Sequence, residues 1–155
     1  IDVDLEVLSD RDSGVLIAHG DATGGYSLYM DNGHLVHDLN IGGTHQLLTS
    51  PKPVLPGRRE LAFVMQRQPQ DDNSVIGRAS LRVDDVEVAE LSTNSIFTLM
   101  ISWSGLDIGF DRGTTVGNYA SPFTFSGKLH KVTVDLSDDQ EVDHDGVGRA
   151  EMARE

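Results

Sequence analysis

The residues with the widest chemical range in this sequence are its six histidines and its many carboxylates. A transition-metal site needs three or four such ligands converging on one point. His34 and His37 share the run "HLVHDLNI", where a strand would send side chains three apart to opposite faces. His19, His45 and His130 sit on separate segments, and His144 lies in "DHDG", where only an adventitious metal contact is expected. Calcium is better motivated. Asp107 and Asp111 in "LDIGFDRG" would share one strand face and, with loop carbonyls, offer oxygen ligands to a hard cation. The simpler use of Asp111 is to end the strand by accepting turn N–H groups. The expectation is therefore no metal and no cofactor, with Asp107 and Asp111 as the candidates for a structural calcium.

Catalytic patterns are sparse. There is no cysteine and no Gly-x-Ser-x-Gly, and the phosphate-loop and dinucleotide fingerprints do not occur. Two facing carboxylates would suffice for glycoside hydrolysis, but nothing in the spacing singles out a pair. No catalytic residue is assigned. The aromatic residues Tyr26, Tyr29, Trp103, Tyr119, Phe123 and Phe125 carry the remaining hint, because flat rings stack on sugar faces. Among them Tyr26, Tyr29, Tyr119 and Phe123 are the candidates for contact with a glycan or with a neighbouring domain. Tyr29 alternates with Leu28 and Met30, which places its ring on the less buried face. Tyr119, Phe123 and Phe125 in "NYASPFTFSG" read as a plug closing the fold before its last strand, so packing is the favoured use.

The elements that must position these residues are short strands. Ile1, Val3, Leu5 and Val7 alternate with Asp2, Asp4 and Glu6. "GVLIAHG", "YSLYM", "HLVHDLNI", "HQLLTS", "RRELAFVM", "RASLRV", "VEVAEL", "LDIGF" and "KLHKVTVDL" follow, nearly all bounded by Gly, Pro, Asn or Asp. Asn32-Gly33, Gly42-Gly43 and Asp84-Asp85 stand where tight hairpins are expected. Leu28, Met30, Leu35 and Leu39 are expected to line the core. No window keeps a helical apolar stripe. The pattern predicts an all-β, two-sheet antiparallel sandwich over residues 1–137. Residues 92–104 read as a connection or one more strand, and 138–155 as a flexible acidic tail.

At 155 residues the chain suits one domain that buries roughly 68–70% of its unfolded surface. A net charge of −13 repels phosphate backbones and anionic lipid heads, so neither nucleic acid nor membrane is an expected partner. Arg58, Arg59, Arg67, Arg78 and Arg82 could still form a local basic patch.

Three ordered stretches resemble a known family. "GVLIAHGDATGGYSLYMDNGHLVHDLN", "SLRVDDVEVAE" and "LDIGFDRGTTVGNYASPFTFSGKLHKVTVDL" resemble the C-terminal domain attached to some bacterial arylsulfatases, over about Gly14 to Leu136. The resemblance implies a jelly-roll, laminin-G-like or concanavalin-like sandwich. At Asp84-Asp85 the glycine usual in that family's turn is replaced by aspartate. A sulfatase also needs a (Cys/Ser)-x-Pro-x-Arg motif, whose first residue becomes formylglycine beside a divalent metal. That motif does not occur here, since Ser50 is followed directly by Pro51 in "TSPKPV". The resemblance thus implies a non-catalytic accessory domain whose partner is the catalytic sulfatase domain of the same polypeptide. A lectin-like carbohydrate-binding module, with a glycan as partner, is the alternative, and an independent glycan-cleaving sandwich is the third reading.

Overall fold

The computed structural model describes residues 1–69, 75–93 and 104–136. Ten strands form two antiparallel five-stranded sheets, and no helix occurs among the described residues. The strands are β1 (Asp2–Val7), β2 (Gly14–Asp21), β3 (Gly24–Asp31), β4 (His34–Ile41), β5 (Thr44–Thr49), β6 (Gly57–Pro69), β7 (Val75–Val83), β8 (Val86–Thr93), β9 (Leu106–Ile108) and β10 (Lys128–Thr133). The first sheet has the order β10-β1-β6-β7-β8 and the second β5-β4-β3-β2-β9. The sandwich expected from the alternating runs is what the chain forms. The 138–155 tail and most of the ambiguous 92–104 segment lie outside the described residues.

The core lies between the sheets. Val3, Leu5 and Val7 alternate inward from β1, and Leu61, Phe63, Ala79 and Leu81 from β6 and β7. They meet Leu28, Met30, Leu35 and Leu48 of the second sheet, with Phe125 completing the layer. Leu39 is buried too. A bulge in β2 pairs Val15 with Tyr29 and Ile17 with Leu28, leaving Leu16 as the extra residue. Leu16 and Ile17 therefore both enter the core, while Val15 and Ala18 pack on the opposite face of the sheet.

The hairpins take the backbone their residues allow. Asn32 and Gly33 have φ of 47° and 80°, and Gly42 and Gly43 have 58° and 85°. Asp84 and Asp85 hold φ of 49° and 64° without a glycine. Side-chain bonds offset that cost: the Asp84 carboxylate accepts from the Glu60 N–H at 3.0 Å and from Arg59 Nη1 at 2.8 Å. The outer face of the first sheet is charged and self-paired. Arg58 binds Asp4 through two bonds, Lys128 binds Glu6, and Arg78 reaches both Glu87 and Glu90.

Candidate functional site

The outer face of the second sheet is where the chemistry-bearing residues gather. Cross-strand register places Ser27, Tyr29 and Asp31 of β3 beside His34, Val36, Asp38 and Asn40 of β4, and these beside His45, Leu47 and Thr49 of β5. The segment from Gly109 to Ser126 crosses much of this face as a strap. Gly109 donates to the Leu16 carbonyl, Val15 donates to Phe123, and Ser126 donates to Ser13. Gly14 has φ of 123°, and a Cβ there would meet the Phe125 backbone at 2.4 Å, so only glycine lets the strap's end lie this close.

Under the strap Tyr29, Tyr119 and Phe123 pack on one another, with ring centroids 4.9–6.0 Å apart, over Val15, Ala18, Val36 and Val116. Tyr29 does lie on the outer face, as its alternation predicts, but it is only 9% exposed. Burial raises its phenol to about 12. The plug expected from "NYASPFTFSG" divides between two layers: Phe125 fills the space between the sheets, while Tyr119 and Phe123 cover the outside of one. Tyr26 is elsewhere. It lies half-buried on the inner face, edge-on to His19 and roughly parallel to His37.

Buried polar groups tie the strap down. The Asp111 carboxylate accepts from the Val116 N–H at 3.1 Å and from the Tyr119 hydroxyl at 2.8 Å. Asn40 donates its amide to the carbonyls of Ala22 and Val116 and accepts from the Gly43 N–H. Asp38 is fully buried, with both oxygens 2.9 Å from His45 Nδ1. Burial pushes Asp38 and Asp111 above the usual carboxylate range, against the pull of His45 and of the Tyr119 hydroxyl respectively. Tyr119 is raised as well, chiefly by burial.

The calcium candidates fall differently from the sequence expectation. Strand β9 ends at Ile108, and Gly109 turns the chain with φ of 79°, so Asp107 and Asp111 do not share a strand face. The Asp107 carboxylate takes the backbone N–H and the guanidinium of Arg112, which holds it below its ordinary range. Asp111 accepts the N–H and hydroxyl just described. Among the described residues no three His, Asp or Glu side chains gather as a metal would require. His34 and His37 do point to opposite faces: His34 meets the Ser50 carbonyl on the outside, and His37 stacks on Phe63 at 3.6 Å inside the core. Burial drives His37 down to about 3. Trp103 and His144 lie outside the described residues. Arg58, Arg59 and Arg78 are each engaged by carboxylates, which removes most of the basic patch.

Two surface features remain, and the sequence reading missed both. One is an open groove of about 480 Å³ beside the strap, lined by Tyr29, Asp31, Asn32, His34, Val36, Leu47, Thr49 and Ser50. The other is the end of the sandwich where β1 stops and β6 and β8 start. Three loops interlock there: Gly33 donates to Asp12, Val54 donates to Gly33, and Asn32 donates to Ser13 Oγ. Arg59 bonds the Leu55 and Pro56 carbonyls as well as Asp84. Around a cavity of about 350 Å³, lined in part by Pro51, Pro53, Val54, Leu55 and Val88, this end exposes Leu8, Leu55 and Val86. The one sequence signal for either was a leucine or valine abutting a turn. No protein-family model matches the chain, and no curated protein matches it significantly.

Proposed function

We propose that the chain is the non-catalytic C-terminal accessory domain of an arylsulfatase, a sulfuric ester hydrolase. In this reading it packs on the catalytic domain of the same polypeptide, stabilising it or shaping access to its cleft. The observation that carries the reading is the interlocked end. Leu8, Leu55 and Val86 are 52%, 66% and 64% exposed there, the first two on loops fixed by backbone bonds and the Arg59 clamp and Val86 at the start of β8. A pre-ordered apolar centre with Lys52, Arg59 and Asp84 beside it has the make-up of a protein interface. The ordered resemblance over Gly14–Leu136 supplies the identity of the neighbour.

The test uses the full polypeptide that encodes this domain, which on this reading carries a (Cys/Ser)-x-Pro-x-Arg motif. Leu55→Asp and Val86→Asp are expected to weaken the docked state by about 1–2 kcal/mol each, the scale of an interface anchor. The readouts are a lower thermal midpoint for the whole enzyme and faster loss of aryl-sulfate turnover on heating. The isolated domain should keep its own midpoint and turn over no aryl sulfate. A full polypeptide without the motif, or turnover by the pure isolated domain, sinks the reading.

A further inference from the structure

We infer that the groove beside the strap is a binding site for a neutral saccharide. The inference rests on the outer face of β3, β4 and β5 alone and holds whatever the domain is tethered to. The register sets two rows side by side. Asp31 lies opposite His34, and one step further along the strands Tyr29 lies opposite Val36, which lies opposite Thr49. The rows are two residues apart, about 7 Å along the strands, the scale of one hexose ring. The first row is polar and the second largely apolar, with Leu47 on the adjoining row of β5.

The polar row has free hydrogen-bonding capacity of fixed direction. His34 Nδ1 lies 2.8 Å from the Ser50 carbonyl oxygen, which can only accept, so Nδ1 carries the proton. Nε2 has no hydrogen-bond partner among the described residues and is left for a ligand hydroxyl. The Asp31 carboxylate binds the Asn32 amide through one oxygen, and the exposed Thr49 adds a hydroxyl from the neighbouring row. Leu47 is 51% exposed on a face whose other large apolar side chains, Tyr29 and Val36, are covered. Polar groups for hydroxyl pairs beside the exposed Leu47 match a pyranose, which has hydroxyls at its rim and C–H groups on its faces. A volume of about 480 Å³ falls among small-ligand sites. Charge then selects the ligand. The lining contains a carboxylate and neither lysine nor arginine, so a sulfated sugar meets repulsion with no cation to offset it.

Calorimetry and saturation-transfer NMR on the intact chain test the inference. The probes are lactose, cellobiose and chitobiose, with lactose sulfate as the charged counterpart. At least one neutral disaccharide should bind with millimolar affinity, and the sulfated one more weakly. Asp31→Ala and His34→Ala should each weaken binding roughly three- to tenfold, the value of a hydrogen bond or two. Neither side chain belongs to the core, and an unchanged unfolding midpoint shows that each variant is folded; Leu47→Ala serves in place of any variant that is not. Failure of all three neutral sugars to bind overturns the inference. So does binding unaffected by the substitutions, or tighter binding of the sulfated sugar. None of these outcomes touches the sulfatase-docking reading, whose test is the integrity of the larger enzyme.

Discussion

His37 illustrates how a residue with catalytic potential is spent on structure. Its ring lies 3.6 Å from Phe63 and nearly parallel to it, and burial holds it neutral down to about pH 3. The unfolded chain takes up that proton near 6.5. Between the two values the unfolded state binds more protons, so this histidine's contribution is complete above pH 6.5 and is lost as the pH falls toward 3. At pH 5 the loss is about 2 kcal/mol. His37→Phe keeps a flat ring in the stack and removes the titration. Urea unfolding at pH 7 and pH 5 should therefore show a smaller drop in the variant, by about that amount. Equal drops in both proteins would mean that the buried ring is not neutral.

The strap is the element that most changes the molecule's surface. It converts an open sheet face into a second core and leaves a groove along β4 and β5 open. Its polar anchors are few, and the Asp111–Tyr119 bond is central among them. Tyr119→Phe removes one donor from a carboxylate that is 2% exposed, and should cost about 1–3 kcal/mol. Hydrogen exchange at the Val116 amide, which also binds Asp111, should accelerate with it. A variant as stable as the parent, with unchanged exchange, would show that apolar packing alone holds the strap.

At the scale of the whole molecule the apolar residues serve two purposes. Leu28 sits between the sheets with no exposure, and Leu55 stands 66% exposed at the interlocked end. Leu28→Ala should destabilise the isolated chain by about 2–5 kcal/mol, whereas Leu55→Ala should change it by less than about 0.5 kcal/mol. Chemical denaturation separates the two. If Leu55→Ala costs as much as Leu28→Ala, the end is part of the fold's own core and is not an exposed docking surface.

The strands were legible in the residue order because alternation is local: Ile1 to Val7 and the Asn32-Gly33 turn declare themselves without reference to distant chain. The pairing of His34 and His37 with opposite faces follows from the same period. The covered outer face was not legible, although β4 carried a trace of it. Val36, Asp38 and Asn40 stand where a solvated face would be wholly polar, and all three are buried. What buries them begins some seventy residues later, and nothing in a period of two reveals which distant loop will fold across a sheet. The same holds for Asp107 and Asp111, which a single positive-φ glycine turns away from a common face. Local pattern determined the sandwich; only long-range closure decided which aromatic rings face each other and which surface stays open.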